Sequence, residues 1–302
     1  MTDKNDAYLA IDIGGTYIKS AVLNSNGDLY EDSCFRVLSY SNELKDLIIK
    51  SIKECVSHSL SFVEKQKKRF SGIGIAIPGP FDYHKGISLM EHKFHALYGE
   101  DLKQLLYDIL DDDIPIPVCF VHDAIAVLLG EQWKGEAMPF RNSAVITLGT
   151  GIGFSHSRNK VVECSPLGSP SVTIYKTPYN GGILEDYVSQ RGILETYKEL
   201  NGGQLPSGIT VLDIGRQADN GDDLSISTFR ITGSILAESI YEILKQENIE
   251  CLLLGGQISN AYRHIEETLI KGLSGLDKLS HISQVRSIDH AALYGVLWEI
   301  LQ

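Results

Sequence analysis

Three short glycine-containing turns in this sequence have the residue types that bind phosphate. Gly14-Gly15-Thr16 follows Asp12 between two β-branched runs, and a similar turn, Gly149-Thr150-Gly151, lies 135 positions further along. A glycine turn between two strands exposes backbone N–H groups without obstructing side chains, which suits an anionic phosphate. Gly255-Gly256 ends a third apolar run, where the backbone can approach a flat nucleotide closely. The sequence contains no G-x-x-x-x-G-K-[ST] motif, which excludes a P-loop.

Each of these turns also has a simpler interpretation. A tight hairpin uses glycine whether or not it binds a ligand, and the similarity between the two halves is short enough to arise by chance. A carboxylate at the position of Asp12 could reach Mg²⁺ or its bound water. A nucleotide-binding site needs both such a carboxylate and a phosphate-binding turn. Each of these turns is therefore either a simple hairpin or a phosphate site.

The elements that must position the turns alternate between strands and helices. β-Branched and apolar runs predict strands over residues 8–13, 18–23, 29–38, 71–76, 118–121, 143–148, 152–156 and 251–254. Apolar residues at helical spacing predict helices over residues 41–64, 99–110, 123–135, 184–200, 213–222, 225–247, 261–272 and 289–301. Ser41 is expected to cap the first helix. This alternation indicates an α/β architecture.

Composition narrows the class of protein and its partners. The 302 residues include 39 acidic and 27 basic side chains, for a net charge of −12, and no basic block that would neutralise nucleic-acid phosphates. Apolar runs are far shorter than the ~20 residues that span a bilayer, and residues 1–10 lack a secretory signal. Five scattered cysteines without a C-x-x-C pair are typical of reduced thiols. We expect a two-domain cytoplasmic protein with neither nucleic-acid nor membrane partners.

Five motifs occur in a fixed order along the chain: LAIDIGGT (9–16), IAIPGP (75–80), HDA (122–124) with GE (130–131), LGTGIG (148–153) and LGG (254–256). As a set they resemble the motifs of ROK-family sugar kinases, which belong to the actin/hexokinase-like superfamily. The resemblance extends from residue 8 to about residue 300. It implies an α/β fold of two actin-like (ribonuclease H-like) domains with a cleft between them. The expected domains are residues 1–122 with 289–302, and residues 123–288.

The resemblance also implies the members of a candidate site. ATP and Mg²⁺ would be the cofactors, and Asp123 would be the catalytic base that takes a proton from a sugar hydroxyl. The implied ATP- and phosphate-binding residues are Asp12, Gly14, Gly15, Thr16, Lys19, Gly149, Thr150, Gly151, Gly255 and Gly256, with Asp12 holding Mg²⁺ through water. The implied sugar-binding residues are Pro78, Gly79, His92, His122, Asp123 and Glu185. Asp123 also suits a helix N-cap, and Glu185 also suits an ordinary exposed helix start.

The chain departs from the family pattern on the sugar side. His122 replaces the asparagine that commonly precedes the catalytic aspartate. Many family members carry a cysteine-rich zinc cluster, but no cysteine lies between Cys164 and Cys251, so that cluster cannot form here. We therefore expect no structural zinc.

A second departure lies where the family usually has a sugar-contacting Pro-Asn. His92 and Lys93 occupy this region and either bind an anionic or differently substituted sugar or belong to a polar surface loop. The three histidines His84, His92 and His95 lack the regular spacing of a metal site.

The resemblance leads to one main functional hypothesis and one alternative. The main hypothesis is an ATP-dependent sugar kinase that transfers the γ-phosphoryl group of MgATP to a hydroxyl of a hexose or N-acetylhexosamine. The alternative is a non-catalytic sugar-binding sensor or regulator of the same family. Family repressors carry an additional N-terminal helix-turn-helix, whereas the first predicted strand here begins by residue 8, so we expect no DNA binding. The resemblance allows a homodimer and leaves the sugar and its hydroxyl open.

Overall fold

The computed structural model describes residues 5–110 and 116–302. The strands are β1 Asp6–Ile13, β2 Tyr17–Leu23, β3 Phe35–Leu38, β4 Arg69–Ile77, β5 Phe81–Asp82, β6 Ile87–Ser88, β7 Val118–His122, β8 Ser143–Leu148, β9 Ile152–Arg158, β10 Val161–Val162, β11 Pro178–Tyr179, β12 Gly182–Ile183, β13 Cys251–Gly255 and β14 His281–Gln284. The α-helices are α1 Lys45–Lys65, α2 Leu102–Leu110, α3 Asp123–Lys134, α4 Leu184–Val188, α5 Gln190–Leu200, α6 Val211–Asp219, α7 Asp223–Gln246, α8 Tyr262–Leu273 and α9 Ala291–Ile300. Within the described residues, no helix combines the length and the apolar composition that a membrane span requires.

The described chain divides into two compact units, each with its own apolar core. The first unit contains the described residues up to Lys134, together with Cys164–Ser171 and His290–Gln302. The second unit contains Gly135–Glu163 and Val172–Asp289. Each unit is built around a five-stranded sheet with helices packed against it.

The sheet of the first unit has the strand order β3-β2-β1-β4-β7. β1, β4 and β7 run parallel, whereas β2 is antiparallel to both of its neighbours. Because side chains alternate along a strand, Ile73 and Ile75 in β4 join the core formed with α1 and α2. Gly74, between them, faces α9, where a Cβ would lie 2.6 Å from the carbonyl oxygen of Val296. The absence of a side chain at Gly74 therefore lets α9 pack directly on the sheet.

Helix α3 belongs to the first unit because it packs against α9 at very short range. A Cβ on Gly295 of α9 would lie 1.7 Å from the Ala126 carbonyl oxygen, and one on Gly130 of α3 would lie 2.0 Å from that of Ala291. Only glycine permits this approach of two helix backbones. The division therefore differs from the boundary expected after residue 122, because this helix pairing holds α3 in the first unit.

The sheet of the second unit has the strand order β10-β9-β8-β13-β14. β8 and β9 form an antiparallel hairpin, and β13 is parallel to both β8 and β14. Helices α7 and α8 pack against each other, and their buried side chains, such as Phe229 and Ile265, join the core of this unit.

In the first unit, β3 and α1 begin several residues later than the sequence indicates. β3 begins at Phe35 instead of residue 29, because Glu31–Ser33 forms a 3₁₀ turn. Helix α1 begins at Lys45, and Ser41 is not its cap, because the Ser41 hydroxyl donates to the carbonyl of Gly15 at 2.6 Å. Long-range hydrogen bonding thus competes with local helix formation at residue 41.

Two further differences lie in the second unit. The helix predicted over residues 184–200 is interrupted at Ser189, whose backbone is extended and separates α4 from α5. β14 was not predicted, because its residues, HISQ, form neither an apolar run nor a clear alternation. It is a strand because it pairs in parallel with β13.

Candidate functional site

The loops that carry the predicted site residues of the first unit leave its sheet at one edge. Asp12 in β1 is level with Ala76 in β4, and Ile77 is level with His122 in β7. Since these strands are parallel, their carboxyl ends meet at the same edge, which is where open α/β sheets bind ligands. The residues brought together at this edge are Gly14, Gly15, Thr16, Pro78, Gly79, His122 and Asp123.

The turn between β1 and β2 is held by hydrogen bonds on both of its sides. The Gly14 N–H donates to the carbonyl of Tyr17 at 2.9 Å. The Gly15 carbonyl accepts two hydroxyl donors, Ser39 Oγ at 2.8 Å and Ser41 Oγ at 2.6 Å. These bonds fix the peptide planes of the turn before any ligand arrives, and such a preorganised backbone is suited to phosphate.

Asp12 and Lys19 lie directly opposite each other on β1 and β2, next to this turn. Directly opposite residues of antiparallel strands project from the same face. A carboxylate there can bind the water shell of Mg²⁺, and an ammonium group can bind phosphate oxygens. The pair therefore places both groups that a magnesium-bound phosphate needs beside the turn.

Asp123 is the first residue of α3 and is held through one of its carboxylate oxygens. His122 Nδ1 lies 2.9 Å from Oδ1, and the Ala124 N–H donates to the same oxygen at 2.7 Å. Ala124 N also lies 3.2 Å from Nδ1, but its shorter bond to the carboxylate leaves Nδ1 to donate to Asp123. Both bonds end on Oδ1, and the side chain is 38% exposed, so Oδ2 is accessible to a ligand.

These surroundings keep the Asp123 carboxylate ionised. Burial by itself raises the pKa of Asp123, but His122, the Ala124 N–H and the charge of Lys93 outweigh burial and lower the pKa below its ordinary value. The bond to Ala124 also differs from N-cap geometry, in which the side chain binds the second or third N–H of the helix. An ionised, accessible carboxylate can accept a proton from a hydroxyl group.

Tyr83 is a member of this corner that the sequence did not indicate. Its hydroxyl donates to the carbonyl of Ile77 at 3.0 Å, and its ring lies 5.9 Å from that of His122. A Cβ on Gly79 would lie 3.3 Å from this hydroxyl, so a larger residue there would crowd Tyr83. Burial and the charge of Asp123 raise the pKa of Tyr83 well above its usual value. Tyr83 therefore remains a protonated donor at neutral pH.

The segment after β6 places a lysine against the Gly14-Gly15-Thr16 turn. A Cβ on Gly15 would lie 3.8 Å from Lys93 Cε and 3.9 Å from Lys93 Nζ. His92, the predicted sugar-binding residue, is exposed, whereas Phe94 is fully buried. The residue that the structure brings to the turn is thus Lys93. The sequence signal for it was a basic residue where the family pattern has Pro-Asn.

In the second unit, the two predicted nucleotide-binding segments are also neighbours. β8 and β13 are parallel, with Gly255 level with Thr147, so Gly256 follows β13 beside the strand that leads into the 149–151 turn. Gly256 has φ of +78°, and a Cβ there would lie 2.3 Å from the carbonyl oxygen of Leu148. Glycine is required at this position both by the backbone conformation and by the close approach.

Glu185 supports the 149–151 turn from α4. Its Oε2 accepts the N–H of Ile152 at 3.0 Å, and the Gln190 N–H donates to the carbonyl of Gly149 at 2.9 Å. The break between α4 and α5 therefore places the Glu185 carboxylate at one end of the turn and the Gln190 N–H at the other. A sugar contact of Glu185 stays a prediction, and Oε1 is the oxygen that would make it.

Residues 5–110 and 116–302 contain no candidate metal centre built from protein side chains. Within these ranges, no group of three or more histidine, cysteine, aspartate or glutamate side chains is placed to hold a metal ion. The five cysteines are free thiols: Cys55 and Cys251 are buried, Cys119 is partly buried, and Cys34 and Cys164 are exposed.

The sequence and fold are similar to those of known sugar kinases. The chain is 27% identical over 288 residues to a glucokinase of Halalkalibacterium halodurans, covering 87% of this chain and 83% of that protein. It is 22% identical over 310 residues to an N-acetyl-D-glucosamine kinase of Yersinia enterocolitica, covering 95% and 97% respectively. Its fold matches a ROK family glucokinase of Streptomyces griseus, solved in complex with glucose and AMPPNP. That match has a TM-score of 0.80 at 19% identity over 96% of this chain and 97% of that one.

The family model that matches the chain is described as the ROK family, and it covers residues 8–163 and 177–299. This match includes all of the proposed phosphate turns and Asp123. The prediction of an α/β fold with two actin-like units is confirmed by the structural similarity. The family-model match, which covers more than half of the chain, shows that this chain belongs to the ROK family.

Proposed function

We propose that this protein is an ATP-dependent sugar kinase that phosphorylates a hydroxyl of a hexose or N-acetylhexosamine. The observation that carries the proposal is the position of Asp123, an ionised carboxylate with one accessible oxygen on the sheet edge that carries the Gly14-Gly15-Thr16 turn. The similarity to a glucokinase and to an N-acetyl-D-glucosamine kinase supports this substrate class.

In this reaction Asp123 is the general base. The sugar hydroxyl binds Oδ2, and its proton passes to the carboxylate while the sugar oxygen forms a bond to the γ-phosphorus. The bond between the γ-phosphorus and the β–γ bridging oxygen breaks, and ADP leaves with the electron pair. His122 and the Ala124 N–H hold Oδ1, so the base is oriented before the sugar binds. Positioning of this kind supplies much of the rate enhancement in phosphoryl transfer.

MgATP is the second substrate, and both units have backbone turns that suit its phosphates. In the first unit, the Gly14 N–H closes the turn on the Tyr17 carbonyl, so the amide groups of Gly15 and Thr16 and the ammonium of Lys19 would bind phosphate oxygens, and Asp12 would hold Mg²⁺ through water. In the second unit, the 149–151 turn binds phosphate, and the close-packed backbone at Gly255-Gly256 borders the adenosine.

The sugar is held near Asp123 by the loops of the first unit. Pro78, Gly79 and His122 leave the sheet beside the base, and His92 lies in the loop that also carries Lys93. Among these residues, the imidazoles of His122 and His92 can hydrogen-bond the hydroxyl or acetamido oxygens of a sugar. The chain has no counterpart of the family's zinc cluster, so the proposed site is built without structural zinc.

A coupled ADP-release assay across hexoses, N-acetylhexosamines and glycosides tests this proposal. We expect turnover with at least one sugar and a loss of kcat of about 10²- to 10⁴-fold in Asp123→Asn. Asp108→Asn is the matched control, because Asp108 is an exposed aspartate of α2 in the same unit and should keep normal activity. Wild-type protein that binds sugar but turns over none would refute the kinase and favour the regulator. An unimpaired Asp123→Asn variant would refute the role of the base.

A further inference from the structure

The loop that carries Lys93 is tied to the phosphate turn by a short chain of hydrogen bonds. Phe94 is fully buried, and its N–H donates to the carbonyl of Ser41 at 2.8 Å. The hydroxyl of the same serine donates to the carbonyl of Gly15 at 2.6 Å. One serine thus connects both segments, so the backbone of Lys93 has a defined position beside the turn.

The Lys93 ammonium lies near both the turn and the base. Its Nζ would be 3.9 Å from a Cβ on Gly15, and its charge contributes to lowering the pKa of Asp123. Within residues 5–110 and 116–302, no carboxylate lies within ion-pair distance of Lys93. Lys93 is half-buried, and its positive charge therefore has no direct counterion among the described residues.

We propose that Lys93 is a catalytic residue that binds the γ-phosphoryl group of ATP and neutralises its charge during transfer. This inference rests on the proposed kinase function. The phosphoryl group moves from a nucleotide held at the glycine turn to a hydroxyl held by Asp123, and Lys93 has its ammonium against the turn and its charge acting on Asp123. In a phosphoryl-transfer transition state the negative charge is spread over three oxygens, and a fixed cation there lowers the barrier.

The competing interpretation is that Lys93 recognises a carboxylate or phosphate carried by the sugar. The position of Nζ beside Gly15 favours the transferred phosphoryl group, because the turn is the phosphate-binding feature of this unit. Experiments with a neutral sugar distinguish the two interpretations, because the γ-phosphoryl group is then the negative charge available to Lys93.

Nucleotide binding tests the proposal without requiring turnover. We would measure the affinities of AMPPNP and ADP by calorimetry for wild type, Lys93→Met and Lys93→Arg. Lys85→Met is the control, because Lys85 is a 73% exposed lysine of the same unit outside the proposed site. We expect Lys93→Met to weaken AMPPNP binding roughly tenfold to a hundredfold, with ADP affinity unchanged and Lys93→Arg close to wild type. Equal AMPPNP affinities of wild type and Lys93→Met, including no binding by either, would overturn the proposal.

Kinetics with a neutral sugar provide the second test. We expect kcat of Lys93→Met to fall about 10²- to 10³-fold with little change in the KM for the sugar. The acid limb of kcat/KM should also move to higher pH, because Asp123 keeps His122 and Tyr83 as neighbours but loses one positive charge. A merely structural role would not separate the affinities for AMPPNP and ADP.

The outcomes separate the inference from the function on which it rests. An active kinase with an unchanged kcat in Lys93→Met overturns the role of Lys93 and leaves the kinase intact. A defect confined to sugars that carry a carboxylate or phosphate also overturns it, in favour of sugar recognition. A wild type without turnover refutes the proposed function, and the AMPPNP comparison then decides the role of Lys93.

Discussion

We predict that Gly295→Ala will both destabilise the first unit and impair catalysis. A Cβ at this position in α9 would lie 1.7 Å from the carbonyl oxygen of Ala126 in α3 and 2.5 Å from the carbonyl carbon. These atoms belong to helix backbone, so no side chain can rotate away to make room. The added methyl group must instead push α3 and α9 apart.

The size of the effect follows from the overlap. Non-bonded atoms are at their optimum near 3.5 Å, so α9 must retreat from Ala126 by roughly 1.5 to 2 Å. Overpacking typically costs about 1–3 kcal/mol, and the better helix propensity of alanine offsets up to about 1 kcal/mol of this. We expect a net loss of about 1–2 kcal/mol. Because Asp123 begins α3, a displacement of about 1 Å at the base would lower kcat about 10²-fold.

Thermal unfolding and kcat would be measured for Gly295→Ala beside two other glycine-to-alanine variants. Gly215→Ala in α6 is the control for helix propensity, because a Cβ there would lie 4.0 Å from Ala261 and has room. We expect it to be neutral or slightly stabilising. Gly233→Ala in α7 is the control for overpacking in the second unit, since its Cβ would lie 2.5 Å from the Ile265 carbonyl oxygen. We expect it to lower the Tm with a much smaller effect on kcat.

Two results would refute this reasoning about the helix pair. A wild-type Tm for Gly295→Ala would show that α3 and α9 separate without cost. A lowered Tm with a normal kcat would show that the position of Asp123 does not depend on this contact.

Three other perturbations have defined outcomes. Ser41→Ala removes one of the two hydroxyl donors to Gly15 and should raise the KM for ATP severalfold, with a stability loss of about 1 kcal/mol. Glu185→Ala removes the acceptor of the Ile152 N–H and should lower the Tm more than Glu185→Gln, which keeps an acceptor oxygen. Burial lowers the pKa of His156 below its ordinary value of 6.5. As the pH falls below 6.5 the unfolded chain therefore binds a proton that the folded chain does not, and stability should fall; His156→Gln should weaken this acid sensitivity.

Each of these perturbations has its own control and contradicting result. Ser61→Ala replaces an exposed serine of α1 and should leave the KM for ATP unchanged. A KM for ATP in Ser41→Ala equal to that of the wild type would contradict the expected role of Ser41. Equal Tm values for the two Glu185 variants would show that the bond to the turn is unimportant. The dependence of stability on pH would be measured by urea unfolding between pH 5 and 8. Identical profiles for wild type and His156→Gln would contradict the expected acid sensitivity of His156.

Local sequence signals predicted the parts of the fold in which neighbouring residues decide the structure. The glycine turns after β1 and β8 were predictable because β-branched runs on either side define both strands. β14 was not, since its residues have no strand pattern and its conformation depends on pairing with β13. The break at Ser189 was also missed, because it depends on the Gln190 N–H reaching the carbonyl of Gly149.

The same holds for the side chains of the candidate site: those whose positions depend on distant parts of the chain were not predictable from local sequence. Family motifs pointed to Asp123 and the turns, because these residues have characteristic neighbours in the sequence. The sequence indicated Lys93 only as a basic residue in place of the family's Pro-Asn, and it did not indicate Tyr83. Their places beside Gly15 and Gly79 depend on how distant loops meet at the sheet edge. The bond of Glu185 to Ile152 could not be predicted either, since it joins α4 to a strand more than thirty residues earlier.

The position of α9 in the chain has a consequence for how the protein is made. The second unit is encoded between most of the first unit and the helix that completes it, so a ribosome synthesises the whole second unit before α9 emerges. Until then, the apolar surface around Gly74 and Gly130 is uncovered, and α3 lacks the helix against which it packs. N-terminal domains commonly fold first during translation. Here the proposed site around Asp123 would become fixed last, so nascent chains would present this exposed surface to chaperones and would lack the proposed activity until α9 packs against α3.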